Sequence, residues 1–272
     1  MNLQSLVKEK KVLLAGKGLQ DGDDTEVLAQ VLREGVVEEL NLMCNRIALV
    51  DDNFTDALAQ NSSLKVLNLY GNHVGNALKV NTSLQQLFLE GNQVGDEGVE
   101  RLAEALTVNA NGPLRVLILC GNGIGDAGAQ SLGVSFLFNR SLRVVLLGEH
   151  FIDNKGEQYL ADCLECNPVI DQLLLDGNRM SNILEERVKT ILSNGKRKST
   201  NIRKQALPKH IVESLLKDKD NKIAIKDLAL AAKDEEMTGL QTLLKAKQQE
   251  NQEKDRLITV SANAQLKAYC KS

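Results

Sequence analysis

The sequence predicts an α/β solenoid, a curved parallel sheet of short strands inside and helices outside, followed by an α-helical C-terminal tail. Three observations lead to this fold class. One pattern, L-x-x-L-x-L-x-G-N-x-[VI]-G, is written again and again between residues 10 and 195. Its copies are nearly evenly spaced. Aromatic residues make up only 3% of the 272-residue chain and Trp is absent, so the interior is read as many small, similar layers rather than one core built on large rings.

The clearest copies use Leu64, Leu67, Leu69, Asn72 and Val74, then Leu84, Leu87, Leu89, Asn92 and Val94, and again Leu114, Leu117, Leu119, Asn122 and Ile124. Ile170, Leu173, Leu175 and Asn178 form another. Weaker copies start at Val37 and Leu142, and a degenerate first copy uses Val12, Leu14, Lys17 and Leu19. The ladder position therefore falls at 17, 45, 72, 92, 122, 150 and 178, in steps of 28, 27, 20, 30, 28 and 28 residues, or about seven repeats. In each copy L-x-L alternates in and out as a short strand, and the Asn side chain is suited to bonding the backbone of the turn that ends it. Gly71, Gly91, Gly121 and Gly177 precede the Asn and permit a tight turn.

Helical spacing follows each Asn, as in Val99, Leu102, Ala103 and Leu106, or Leu132 and Phe136. A strand plus a helix cannot bury its apolar face alone, so neighbouring units must stack. SNILEERVKTILSN reads as a terminal helix capping the open end. Asn61, Asn81 and Asn139 each begin an N-x-S/T triplet that opens a repeat, which points to a structural role. Two places depart from the pattern. Only 20 residues separate Asn72 from Asn92, too few for a full helix, so NHVGNALKVNTS is expected to cross by a short loop. His150 replaces the ladder Asn in GEHFID, and its ring is expected to supply a similar hydrogen bond.

Segments such as GNQVGDEGVERLAEALTVN and GNGIGDAGAQSLGVSFLFN resemble the leucine-rich-repeat family, in particular the long repeats of the ribonuclease-inhibitor-like class. The resemblance covers roughly residues 10–195. It implies a fold rather than a function, because the family includes nuclease inhibitors, activators of GTPases, innate sensors, tropomodulin-like actin cappers and ciliary scaffolds.

If the strands alternate as read, the residues between and beside their leucines face the concave surface. The position between the last two leucines reads Leu13, Asn41, Asn68, Phe88, Ile118, Leu146 and Leu174, and a neighbouring column adds Val66, Val116 and Val144. Together with Tyr70 these make Val66, Phe88, Val116, Ile118, Val144, Leu146 and Leu174 the candidate partner-binding surface. An apolar stripe of this length is costly to leave in water. A protein partner, the chain's own tail, or screening by flanking Arg115, Arg143, Glu90 and Asp176 are the three ways to meet that cost.

The domain reading is a solenoid with its capping helix at 1–195, a basic linker at 196–206 and a helical tail at 207–272. GKRKSTNIRK reads as a solvated hinge, with nuclear import or phosphate binding as the functional alternative. From Pro208 the pattern turns helical, with Ile211, Leu215 and Leu216 on one face, and Leu240, Leu243 and Leu244 follow. DKDNK lacks the Gly and terminal Glu of a calcium loop.

With 33 basic and 36 acidic residues the formal charge is −3, so nucleic-acid or membrane binding through bulk electrostatics is not expected. Five scattered cysteines suggest free thiols in a reducing compartment. Neither a secretory leader nor a membrane-spanning run is read in the sequence. A cytoplasmic setting is expected, with cytoskeleton or cilium added by family analogy and the nucleus left open. No nucleophile motif, phosphate-cradling loop or metal set is recognisable, and Cys163-x-x-Cys166 is a lone pair at the end of a repeat helix. No small-molecule substrate, cofactor or metal is expected, and the chain is read as a non-catalytic scaffold that binds a protein partner through the concave face and the C-terminal tail. The alternatives implied by the resemblance are a GTPase activator of the Ran-activating type, whose long acidic tail contrasts with the mixed charge of the tail here, and an inhibitor or regulatory subunit.

Overall fold

The computed structural model describes residues 9–34, 36–49, 52–74, 81–179 and 181–193. The chain divides into two compact units, Met1–Thr200 and Asn201–Ser272, and every described residue lies in the first. The expected linker and helical tail, and most of the short crossing between Asn72 and Asn92, fall outside the described residues.

The described residues form seven strands and six helices, which alternate except between the third and fourth strands, where no helix is described. The strands are β1 (Lys11–Leu13), β2 (Glu39–Asn41), β3 (Val66–Asn68), β4 (Gln86–Phe88), β5 (Val116–Ile118), β6 (Val144–Leu146) and β7 (Gln172–Leu174). The helices are α1 (Asp23–Arg33), α2 (Asp52–Gln60), α3 (Gly95–Val108), α4 (Asp126–Phe138), α5 (Asn154–Glu165) and α6 (Asn182–Ser193). The strands form one parallel sheet in sequence order. Strands lie about 4.8 Å apart whereas packed helices need 8–10 Å, so the strand layer takes the inside of the curve.

Each strand buries its middle residue, from Val12 and Leu40 through Leu117 to Leu173, and turns the other two away from the core. The helices bury the faces their periodicity indicates, Val99, Leu102, Ala103 and Leu106 on α3 among them. In α4 every residue from Leu132 to Leu137 is buried, because the helix is held between α3 and α5. A Cβ at Gly133 would stand 3.0 Å from Tyr159 and 3.2 Å from the Cys163 sulfur, so glycine sets how closely α4 and α5 approach. The capping helix α6 is tied back by Arg187, whose guanidinium lies 2.6 Å from both Asp162 and Glu165 of α5.

The buried asparagines fasten each repeat to the one before it. Asn45 accepts hydrogen bonds from the backbone N–H groups of Lys17 and Leu19 and donates to the carbonyls of Leu14 and Leu42. Asn72, Asn92 and Asn122 repeat this arrangement one rung further each time. The bond within the repeat's own turn matches the expectation from sequence, and the bond to the preceding repeat adds to it. At the other end of the strands Asn61, Asn81, Asn139 and Asn167 build a second ladder. Asn167, for example, donates to the carbonyls of Phe136 and Asn139 and accepts from Val169 and Ile170. Aspartates brace the helix starts: Asp96 accepts from Gly125 and Gly128, and Asp126 from Asp153 and Gly156.

The glycine before the ladder Asn adopts a left-handed conformation, with φ between 62° and 78° at Gly71, Gly91, Gly121 and Gly177. Two repeats place a side chain there instead, Cys44 at φ 53° and Glu149 at φ 59°. That conformation costs a non-glycine residue about 1 kcal/mol. Glu149→Gly is therefore expected to stabilise the fold by about 1 kcal/mol, read as a higher urea midpoint at unchanged slope. Asn92→Ala strands the buried Val74 N–H and takes one of two asparagine donors from the Leu69 and Leu89 carbonyls, which keep those of Asn72 and Asn122. It is expected to cost about 3 kcal/mol in the same assay.

Candidate interaction face

One face of the sheet carries the helices, and the other is paved by the first and third residues of each strand. Register places the third residues Leu13, Asn41, Asn68, Phe88, Ile118, Leu146 and Leu174 in one row. The first residues Lys11, Glu39, Val66, Gln86, Val116, Val144 and Gln172 form a second row beside it. Backbone hydrogen bonds carry the register beyond the strands. They add a row of Tyr70, Glu90, Cys120, Gly148 and Asp176 after the strands and a row of Lys65, Gln85, Arg115, Arg143 and Asp171 before them.

The sequence-derived surface divides on this grid. Phe88, Val116, Ile118, Val144 and Leu146 are half-buried, Leu174 is 48% exposed, and these six are contiguous. Val66 stands apart from Val116 because Gln86 lies between them, and its row neighbour on the other side is Glu39. Tyr70, 41% exposed, belongs to the third row, next to Glu90. The apolar patch thus occupies β4 to β7, while Asn41, Asn68 and the Lys11–Glu39 ion pair of 2.6 Å make the β1–β3 half polar.

Charge differs between the two rims of the patch. Arg115 and Arg143 stand before β5 and β6, the first donating to the Gly112 and Leu114 carbonyls, the second to the Val169 carbonyl with Asp171 at 3.7 Å. Past the strands stand Glu90, Glu149 and Asp176, none of them in an ion pair among the described residues. Partial burial raises the Glu90 pKa. Burial, reinforced by the charges of Glu90 and Glu149, raises that of the Cys120 thiol between them. Alternation of apolar residues within the strands made the patch legible; the rims lie outside the strands, and their signal was the residue type at a fixed offset from each leucine pair.

The remaining singled-out residues are structural in placement. Cys163 and Cys166 are buried at the end of α5, and burial raises both thiol pKa values, which favours the protonated form over the thiolate that attacks or ligates. Among the described residues no group of three or more His, Cys, Asp or Glu is placed to hold a metal ion, and no helix is long and apolar enough to cross a membrane. His150 occupies the ladder position, buried, with Nδ1 accepting from the Asn122 N–H at 3.2 Å and the Ile124 N–H at 3.4 Å.

Stacked strand–helix repeats locked by buried asparagines define the class of an open parallel α/β solenoid. Segments 60–77, 80–103 and 110–133 match the family model described as Leucine Rich repeat, and the fold is that of a leucine-rich-repeat solenoid. Two solved structures similar to it are those of leiomodin-1 actin-binding site 2 and an internalin of Listeria monocytogenes. The first is 17% identical with a TM-score of 0.39, over 72% of this chain and 88% of that one. The second is 16% identical with a TM-score of 0.43, over 72% of this chain, which spans 61% of the internalin. A search of curated proteins finds no matching sequence.

Burial pulls the His150 pKa down to about 4, below the value of about 6.5 expected in the unfolded chain. A histidine depressed on folding contributes stability that is fully present above pH 6.5 and is lost as pH falls from there towards 4. We expect the wild type to lose about 3 kcal/mol relative to His150→Asn across that window. Parallel pH-dependent slopes for the two proteins in chemical denaturation would contradict the assignment.

Proposed function

We propose that the chain is a non-catalytic scaffold that binds a protein partner through the helix-free face of its sheet, on the patch formed by Phe88, Val116, Ile118, Val144, Leu146 and Leu174. The observation that carries this reading is the contiguity of six apolar residues on a face that no described element covers. Exposed apolar area of this kind, rimmed by charge, is characteristic of interaction surfaces. A preformed sheet presents it with little ordering cost on binding. Val66 and Tyr70 belong to the same face and serve as outlying contacts. We assign the repeats to the ribonuclease-inhibitor-like class on their strand-and-helix units of mostly 27–30 residues. The setting we propose, a cytoplasmic assembly of cytoskeletal or ciliary type, rests on the family resemblance alone.

Affinity purification of the wild type beside a Phe88→Asp, Ile118→Asp, Leu146→Asp variant tests the reading. All three side chains are only half-buried, so the variant is expected to keep the wild-type circular dichroism spectrum and melting temperature within a few degrees. Its specific partners should be lost. A folded variant that recovers the same partners would place the interaction elsewhere.

A further inference from the structure

We infer that the β4–β7 half of the helix-free face receives an amphipathic α-helix whose apolar side is bordered by a basic flank on one edge and an acidic flank on the other. The inference rests on the scaffold reading above and names the partner's chemistry.

Spacing is the first argument. The apolar row advances one residue per strand from Phe88 through Ile118 and Leu146 to Leu174, and neighbouring strands are about 4.8 Å apart. A helix presents a new residue of one face every turn, with i, i+3 and i+4 neighbours roughly 5–6 Å apart. Successive anchors of one helix therefore meet successive strands over about three turns. An extended peptide laid the same way repeats each face at close to 7 Å and falls out of step. It would also bring unpaired backbone groups onto a face whose own strands are already hydrogen-bonded to one another.

Charge is the second argument. Arg115 and Arg143 line one rim, and Glu90, Glu149 and Asp176 line the other. The acidic rim is unneutralised among the described residues, and Arg115 donates only to carbonyls. In the β1–β3 half the charges are already used internally, since Lys10 and Lys65 both pair with Glu38. The apolar half thus carries opposite charge on its two sides along β4–β6, while at the β7 end Asp171 stands 3.7 Å from Arg143 on the basic rim and offsets it in part. Lys or Arg of the occupant faces Glu90, Glu149 and Asp176, and Asp or Glu faces Arg115 and Arg143. Rim pairs of this kind contribute little to affinity and much to orientation.

Fluorescence anisotropy on the full chain with four labelled 14-residue helical peptides tests this. All share one leucine face. The first has Lys on one flank and Glu on the other, the second the same composition with both residues mixed on each flank, and the third and fourth carry only Lys or only Glu. The segregated peptide is expected to bind about tenfold more tightly than the mixed one at low salt, with the gap closing as salt rises. In the Glu90→Lys, Asp176→Lys variant the preference should pass to the all-Glu peptide. Equal binding of all four peptides, or no binding, overturns the inference. If none binds while the triple Asp variant still loses its partners, the helix is wrong and the scaffold face stands. If the segregated peptide binds Ile118→Asp or the milder Ile118→Ser as well as wild type, both readings fall. Crosslinks in the peptide-free chain joining residues 207–272 to the apolar row, or a dimer dispersed by Ile118→Ser, would assign the face to the tail or to a second copy and overturn the inference.

Discussion

The structure depends on a hydrogen-bonding requirement met by one side chain per turn. A tight bend after each strand buries backbone N–H and carbonyl groups that no strand partner reaches, and burying them unpaired is costly. The ladder asparagine satisfies donors of the previous repeat and acceptors of two repeats at once. Because every rung spans a junction, the repeats cannot separate without stranding several buried groups together. Stacking, parallel register and sheet continuity all follow from that. His150 reproduces the acceptor half of the arrangement through Nδ1, but its Nε2 has no partner among the described residues, and a ring is a poorer substitute for the two-sided amide.

The same register that satisfies the turns also arranges the outer face. A residue's place on the helix-free face is fixed by its offset from the rung, so like residues at like offsets become rows without any long-range design. Apolar residues at one offset in four consecutive repeats become a stripe, and charges at offsets before and after the strands become its rims. The polar half over β1–β3 has the same geometry with different residue types, which is why its lysines and glutamates neutralise one another.

Much of this was legible in the sequence, and the reasons are local. The L-x-L alternation marked the strands, and the repeated Asn marked the rungs, because both are contacts within a few residues. The tie from each Asn to the preceding repeat was not legible, since it depends on which turn lies behind it. Asn61, Asn81 and Asn139 stood out through their triplets, yet Asn167, followed by Pro168, carries no such triplet and joins the same ladder. The glycines at 128 and 156 look like ordinary helix-start residues. Their necessity appears only when a Cβ is set against the bracing carboxylates, 2.7 Å from Asp96 and 2.4 Å from Asp126. Val66 and Tyr70 looked equivalent to the patch residues because a single strand does not reveal that Gln86 comes between.

The 20-residue step bears on how such a chain can vary. β3 and β4 pair in full register, Leu67 opposite Leu87, although their repeat is shorter than its neighbours by about a quarter of their length. Asn92 still completes its rung. Pitch along the strand layer is thus indifferent to how much chain is spent on the outside. Insertions and deletions are absorbed on the helical side, while the strand side remains a ruler of constant gradation, so evolution can rewrite what is displayed on each mark without disturbing the distance between marks.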